Sequence, residues 1–319
     1  MRALLLKAAG LLLALTTASA AQDYPTRPVR IVVPFPPGAI NDIVGRIVAA
    51  ELSERLGKQF LVENRGGAGG VMGAEMVANA PKDGHTLLII SLATAVNPWL
   101  YKLPYEPVKA FTPISIIVSA PNVVAVNPAL PAQSVKDLIA LAKQKPGGLQ
   151  YASSGVGTFL HLGGELFKLM AGIDILHVPF KGAAPALIDV VGGHTQVAFG
   201  STSSTLPHVR SGKLRPLGVG GAQRSAALPD VPTVIESGLP GYEASNWVGL
   251  VAPAGTPDAV VAKLHKEIAD IQNSPKVQQQ IAAAGADIIR MSVAEFGAFQ
   301  TSELAKWGRV VKEAGIKAQ

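Results

Sequence analysis

The chain has 319 residues, with 28 Lys and Arg against 22 Asp and Glu and no cysteine. Without thiols there is no cysteine nucleophile, no Cys-ligated metal and no disulfide, so the fold must rest on apolar burial. A formal charge of +6 with no Lys/Arg cluster argues against nucleic acid as a partner.

In chain order, Arg2 and Lys7 flank a Leu/Ala-rich run that ends at Ala18-Ser19-Ala20. That layout reads as a secretory signal peptide over residues 1–20, cleaved after Ala20, and the mature chain is expected to be exported. Cleavage removes Arg2 and Lys7, leaving 26 basic against 22 acidic residues and a net charge of +4. No later apolar run is long enough to span a bilayer. The remainder, roughly 300 residues, exceeds the size at which a single core stops growing, so two lobes are expected.

Short β-branched runs at Val29–Val33, Phe60–Glu63, Thr86–Ile90, Val123–Val126, Ile175–Val178, Gln196–Phe199 and Leu214–Val219 read as strands. Helical periodicity separates them: Ile40–Leu56 stops at Gly57, Val135–Gln144 starts at Ser134, and Phe159–Met170 follows a Gly-rich turn. Such alternation predicts α/β lobes with largely parallel sheets. Ser119-Ala120-Pro121-Asn122 is a candidate crossover between lobes, and the turn-rich stretch 223–241 leads to a second. Lobe one is therefore expected at 21–121 plus 241–319, holding both ends of the mature chain, and lobe two at 122–240. Near the C-terminus, Thr256 is expected as N-cap before Pro257 at the first helical position, and Ser292 with Glu295 is spaced as a capping box.

Two loops carry the chemistry. Pro34-Phe35-Pro36-Pro37-Gly38-Ala39-Ile40-Asn41-Asp42 follows a strand and opens a helix, so free backbone N–H groups and the positive end of a helix dipole suit an anion there. With no Lys or Arg in the loop, recognition would fall to backbone amides and Asn41, with Asp42 as a cap. Ser153-Ser154-Gly155-Val156-Gly157-Thr158 repeats the arrangement in the other lobe, with hydroxyls as neutral donors. Together they would face each other across a cleft at the carboxyl ends of the strands. Taken singly, each is a βα turn.

The remaining candidates are weaker. Arg65-Gly66-Gly67-Ala68-Gly69-Gly70 fits neither a dinucleotide fingerprint nor a P-loop and reads as a turn that can line the cleft. His161 lies one helical turn past Thr158 and points either toward ligand or to a local partner; Lys181 would sit at the rim; Tyr242 and Trp247 read as packing. Gly-x-Ser-x-Gly and His-Glu-x-x-His are absent, and the histidines lack ligand spacing, so no metal site is expected. Ser154 with His161 and a distant Asp is the only hydrolase arrangement left open.

Tyr24-Pro25-x-Arg27-Pro28, Val33-Pro34-Phe35-Pro36-Pro37-Gly38, Val62-Glu63-Asn64-Arg65-x-Gly67-Ala68-Gly69-Gly70 and Asp83-Gly84-His85-Thr86 resemble the Bug-type solute receptors of tripartite tricarboxylate transporters. Tyr151-Ala152-Ser153-Ser154-Gly155-x-Gly157-Thr158, His177-Val178-Pro179-Phe180-Lys181-Gly182 and Leu228-Pro229-Asp230-Val231-Pro232-Thr233 extend the likeness, and Leu250 to Pro257 completes it. The resemblance implies a periplasmic binding protein of two α/β lobes, type II-like, with two crossover segments and a ligand cleft between them. It further implies a monomer that uses no cofactor, closes on a small organic acid and hands it to a membrane permease, with a chemosensory role as the alternative. By position it assigns Phe35, Gly38, Ala39, Asn41 and Asp42 to the ligand from lobe one, with Ala93 and Thr94 nearby. From lobe two it assigns Ser153, Ser154, Gly155, Gly157, Thr158 and His161, with Phe180, Lys181 and Gly182 at the edge. Ile40 stands where many members carry a smaller residue and is expected to reshape the pocket. Gly200 stands where some relatives place an acid, which points to a ligand without an amino group.

Overall fold

The computed structural model describes residues 24–317; the expected signal peptide, residues 1–20, lies outside them. The chain runs β1 (Val29–Val33), α1 (Ile40–Leu56), β2 (Phe60–Asn64), a 3-10 turn (Ala68–Gly70), α2 (Val71–Ala78), β3 (Thr86–Ser91) and α3 (Leu92–Leu100). β1 pairs in parallel with both β2 and β3, and its apolar residues are buried on both faces, as expected for a parallel strand covered by helices. α1 stops where Gly57 turns left-handed (φ 66°) and its N–H returns to Ser53 O at 3.1 Å.

β4 (Phe111–Val126) then spans 16 residues. The second lobe continues with α4 (Val135–Gln144), β5 (Gln150–Ser153), α5 (Phe159–Ala171), β6 (Leu176–Pro179), α6 (Ala183–Val191), β7 (Val197–Ser201), α7 (Thr202–Arg210) and β8 (Arg215–Val219). β9 (Ser245–Pro253) returns to the first lobe, followed by α8 (Asp258–Gln272), α9 (Pro275–Ala283), β10 (Asp287–Ile288) and α10 (Val293–Glu313).

The strands hydrogen-bond in the order β2-β1-β3-β9-β4-β7-β5-β6, with β8 and β10 also paired to β4. β4 is therefore a member of both halves. From Phe111 to Pro121 it runs antiparallel to β9; from Asn122 to Val126 it runs antiparallel to β7. At the change of partner, Asn122 N donates to Ala244 O (3.0 Å) and Asn122 O accepts from Gly220 N (2.8 Å), which stitches the outgoing strand to the returning one. Gly220 is required there, because a Cβ would lie 1.9 Å from Asn122 Oδ1. The return is an uninterrupted strand through Trp247 that the sequence pattern leaves unassigned.

α10 begins with the expected capping box: Ser292 Oγ accepts from Glu295 N (3.2 Å) while Ser292 N donates to Glu295 Oε2 (2.8 Å). The Thr256 expectation is off by one residue. Pro257 (ψ 136°) is the non-helical cap and Asp258 opens α8, while the Thr256 hydroxyl donates to Pro253 O. Trp247 and Trp307 are buried in packing, and both indole N–H groups donate to Glu303 Oε2, at 2.8 and 2.9 Å.

Candidate ligand-binding site

A cavity of about 510 Å³ lies between the lobes. Three helix N-termini meet there: α1 through Ala39, Ile40 and Asn41, α3 through Ser91, Leu92 and Ala93, and α5 through Thr158 and Phe159. Neither Ala39 nor Ser91 makes a side-chain cap, so the first amides of α1 and α3 are left to whatever fills the cavity. Each helix also presents its positive dipole end, and the sum favours an anion.

The lobe-one loop is shaped by one carboxylate. Asp42 is the third residue of α1 and reaches back: Oδ2 accepts from Gly38 N (2.9 Å) and Arg46 Nε (3.0 Å), and Oδ1 accepts from Asn64 Nδ2 (2.8 Å). Burial would raise its pKa, but the bonds from Arg46, Gly38 and Asn64 outweigh burial and hold it below the usual carboxylate range. Gly38, at φ +85°, gives the turn its left-handed residue. Asn41 is 4% exposed, and its Nδ2 has no hydrogen-bond partner among the described residues. A buried amide left unpaired costs roughly 1–3 kcal/mol, which a ligand oxygen would recover.

The lobe-two loop is built from neutral groups. Thr158 Oγ1 donates to Gly155 O (2.7 Å), accepts from Ser154 Oγ (3.0 Å) and caps α5 by accepting from His161 N (3.4 Å). Behind it, His161 Nδ1 accepts from Gly157 N (3.0 Å), and Ser153 Oγ lies 2.6 Å from His177 Nε2. Burial, helped by the charge of Lys168, lowers the His161 pKa to about 4. Burial lowers His177 to about 4 as well, with His161 and Lys168 opposing a second charge and Glu165 favouring it.

Of the expected residues, Phe35, Ala39, Asn41, Ala93, Gly157 and Thr158 line the cavity. Gly38, Asp42, Ser153, Ser154, Gly155 and His161 do not; they form the braces just described, so His161 takes the local partner and Ser154 pairs with a threonine instead of a histidine. Phe180 and Gly182 back the loop through their N–H groups, to Ser153 O (3.0 Å) and Ser154 O (3.3 Å), and Lys181 is exposed. Thr94 turns to a separate small cavity beside Trp247 and Gln300. Position 200 also lies off the cavity: a Cβ on Gly200 would lie 2.1 Å from Thr205 Oγ1.

Sequence reasoning missed Ser91, Asn97, Tyr101, Asn246 and Lys317. Among the described residues, Lys317 is the one charged side chain that lines the cavity. A Schellman turn places it: Gly315 is left-handed (φ +63°), Gly315 N donates to Lys312 O (3.3 Å) and Ile316 N to Val311 O (3.0 Å). Ile316 packs into the core beside Val311, and the next residue reaches the cleft.

Two α/β lobes sharing their sheet, with helix N-termini gathered on an interlobe cavity, define a two-lobed binding protein. The model of the tripartite tricarboxylate transporter family receptor matches residues 44–316, and the chain belongs to that family. It is 36% identical over 300 residues to the protein BugT of Bordetella pertussis, covering 93% of this chain and 92% of BugT. Among solved structures it resembles R. palustris Rpa4515 with adipate, at 37% identity and TM-score 0.76 over 93% of this chain and all (100%) of that one. It also resembles MatC (Rpa3494) of Rhodopseudomonas palustris with bound malate, at 31% identity and TM-score 0.71 over 90% of this chain and 100% of that one.

Proposed function

We propose that the chain captures a small organic acid in the periplasm and presents it to the membrane permease of a tripartite tricarboxylate transporter. The observation that carries this reading is the unpaired Asn41 Nδ2 among three helix N-termini, in a cavity lined, among the described residues, by one cation and no carboxylate. An acid would pair with the amides of α1, α3 and α5, with Asn41 and with Lys317. An ammonium on the ligand would find no counter-charge among the described lining residues, which favours an acid without an amino group. Adipate and malate, bound by two related structures, are the natural probes.

The two lobes are taken as 21–121 plus 241–319 and 122–240, a division supported by the change of β4 partner between Pro121 and Asn122. Contacts made from both lobes at once favour the closed form, and that form is what a permease would read. We take the chain to act as a monomer, a reading supported by the cavity drawing its lining from both lobes of one chain.

A receptor is favoured over a hydrolase by the state of the candidate nucleophiles. Ser154 Oγ donates to Thr158, and Ser153, which does meet a histidine, is fully buried. A thermal-shift and calorimetry screen against malate, adipate, citrate, aspartate and glutamate tests the reading. An acid at about 100 times its dissociation constant should add about 2.7 kcal/mol of stability, with no turnover on long incubation. Malate should bind more tightly than aspartate, and Lys317→Gln should weaken the best acid severalfold at unchanged melting temperature. No stabilisation by any acid, or consumption of the acid, overturns it.

A further inference from the structure

Behind the Ser153–Thr158 loop lies a group of titratable side chains that the binding reading does not use, with Tyr151 and His161 buried and His177 half-buried. Tyr151 of β5, His177 of β6 and His161 of α5 form a continuous stack, with ring centroids 4.9 Å apart for Tyr151 and His177 and 4.0 Å for the two histidines. The interplanar angles are 24° and 21°, so the rings lie nearly face to face. Each histidine pins one part of the loop. His161 Nδ1 accepts the Gly157 N–H at 3.0 Å, and His177 Nε2 holds Ser153 Oγ, which in turn accepts the Gly155 N–H at 3.2 Å. Val156, between the two pinned glycines, lines the ligand cavity together with Gly157 and Thr158.

A backbone N–H can only donate, so His161 Nδ1 must be unprotonated for the Gly157 bond to exist. A proton placed on Nδ1 sets one donor against another, and the loop amide must turn away. The surroundings bear on that proton from several sides. Glu165 of α5, 4.0 Å from His161 Nε2, favours it; its carboxylate is already engaged by Tyr151 Oη (2.6 Å) and Lys168 Nζ (3.1 Å). Lys168 opposes it, a second imidazolium at 4.0 Å opposes it further, and burial disfavours charge on either ring.

We propose that His161 and His177 are positioning residues: as a neutral stacked pair they hold the Ser153–Thr158 loop in its ligand-accepting shape, and protonation at His161 Nδ1 releases it. Ligand affinity is thereby coupled to a proton through a group that does not touch the ligand. The coupling rests on the reading of this cleft as a carboxylate site; the loop brace itself does not. Both rings are pushed down to about 4, so the pair is neutral at pH 7 and the release falls in acid.

Two measurements on the full mature chain separate the two ideas. In ligand-free protein, protection of the Gly157 amide against hydrogen exchange is read by NMR between neutral pH and about pH 4. It should fall about tenfold with acid in the wild type, be absent at neutral pH in His161→Leu, and persist in His161→Asn, whose amide oxygen can accept the same N–H without titrating. Gly157 protection that ignores His161→Leu overturns the proposal. Calorimetry with malate then compares wild type and His161→Asn over the same range, because their ratio cancels the ionisation of malate itself. At about pH 4, where His161 is half protonated, the wild type should lose about twofold more affinity than the variant; equal losses overturn the coupling. If neither malate nor adipate binds any form, the carboxylate reading fails, and the exchange experiment still decides whether the pair holds the loop.

Discussion

At Gly38–Asp42 the brace is a single ionised carboxylate collecting three donors; at Ser153–Thr158 it is two neutral imidazoles and a chain of hydroxyls. The first loop leaves its own amide side chain, Asn41, unpaired toward the cavity, while the second turns its polar side chains inward and offers mainly backbone. Both loops expose helix N-terminal amides, so the same anion chemistry has been reached by opposite local electrostatics. The lesson is that an anion site tolerates a carboxylate close behind it, provided that carboxylate is saturated by Gly38, Asn64 and Arg46 before ligand arrives.

Several substitutions would break or sharpen that contrast. Asp42→Ala should have the largest effect, because Gly38 N–H, the Asn64 amide and the Arg46 guanidinium lose their shared acceptor together. A loss of about 3 kcal/mol in denaturant unfolding is expected, with acid binding abolished. Acid titration comes next. His161 has a folded pKa of about 4, below its ordinary 6.5, so between these values the unfolded chain binds more protons than the native one. Stability is complete above about 6.5 and falls as the pH drops toward 4, by about 3 kcal/mol from this ring. Asp42 is also shifted down, but from a lower starting point: its brace is kept while the pH falls past the ordinary carboxylate range and is lost only below it. A melting-temperature series across this range should therefore show the lobe-two loop failing first.

Asn41→Ala should separate binding from stability. Affinity for the best acid falls about tenfold, yet the ligand-free protein is no less stable, because an unpaired buried donor has been removed. A destabilised Asn41→Ala would mean that the amide has a structural partner. Thr158→Val is the smallest change: losing the N-cap of α5 should cost about 1 kcal/mol in chemical denaturation, whereas Ala39, which caps nothing through its side chain, should tolerate Ala39→Ser at no cost.

Much of this was legible from residue order. The two loops announce themselves by Pro and Gly between a β-branched run and a helical period, and α1 and α4 fall on the expected residues. The third helix N-terminus was not legible, because Thr86–Ser91 passes directly into Leu92 with no turn residue between strand and helix. β9 escaped for a related reason: Trp247 to Pro253 is buried on both faces and shows no period-two alternation. The histidine stack joins residues 161 and 177 from different elements, and Lys317 reaches the cleft only because Ile316 is anchored in the core. Such tertiary placements leave no local pattern to read.

β4 has one more consequence. Because residues 111–121 and 122–126 of the same strand are laced into different partners, any rotation of one lobe against the other must change the twist or shear of a hydrogen-bonded ribbon. The lobes are not two bodies on a string but the two ends of a torsion spring, with a preferred angle and a restoring force. Stiffening the ribbon near Asn122 would then shift how readily the cleft changes its opening without altering a single group that faces the ligand.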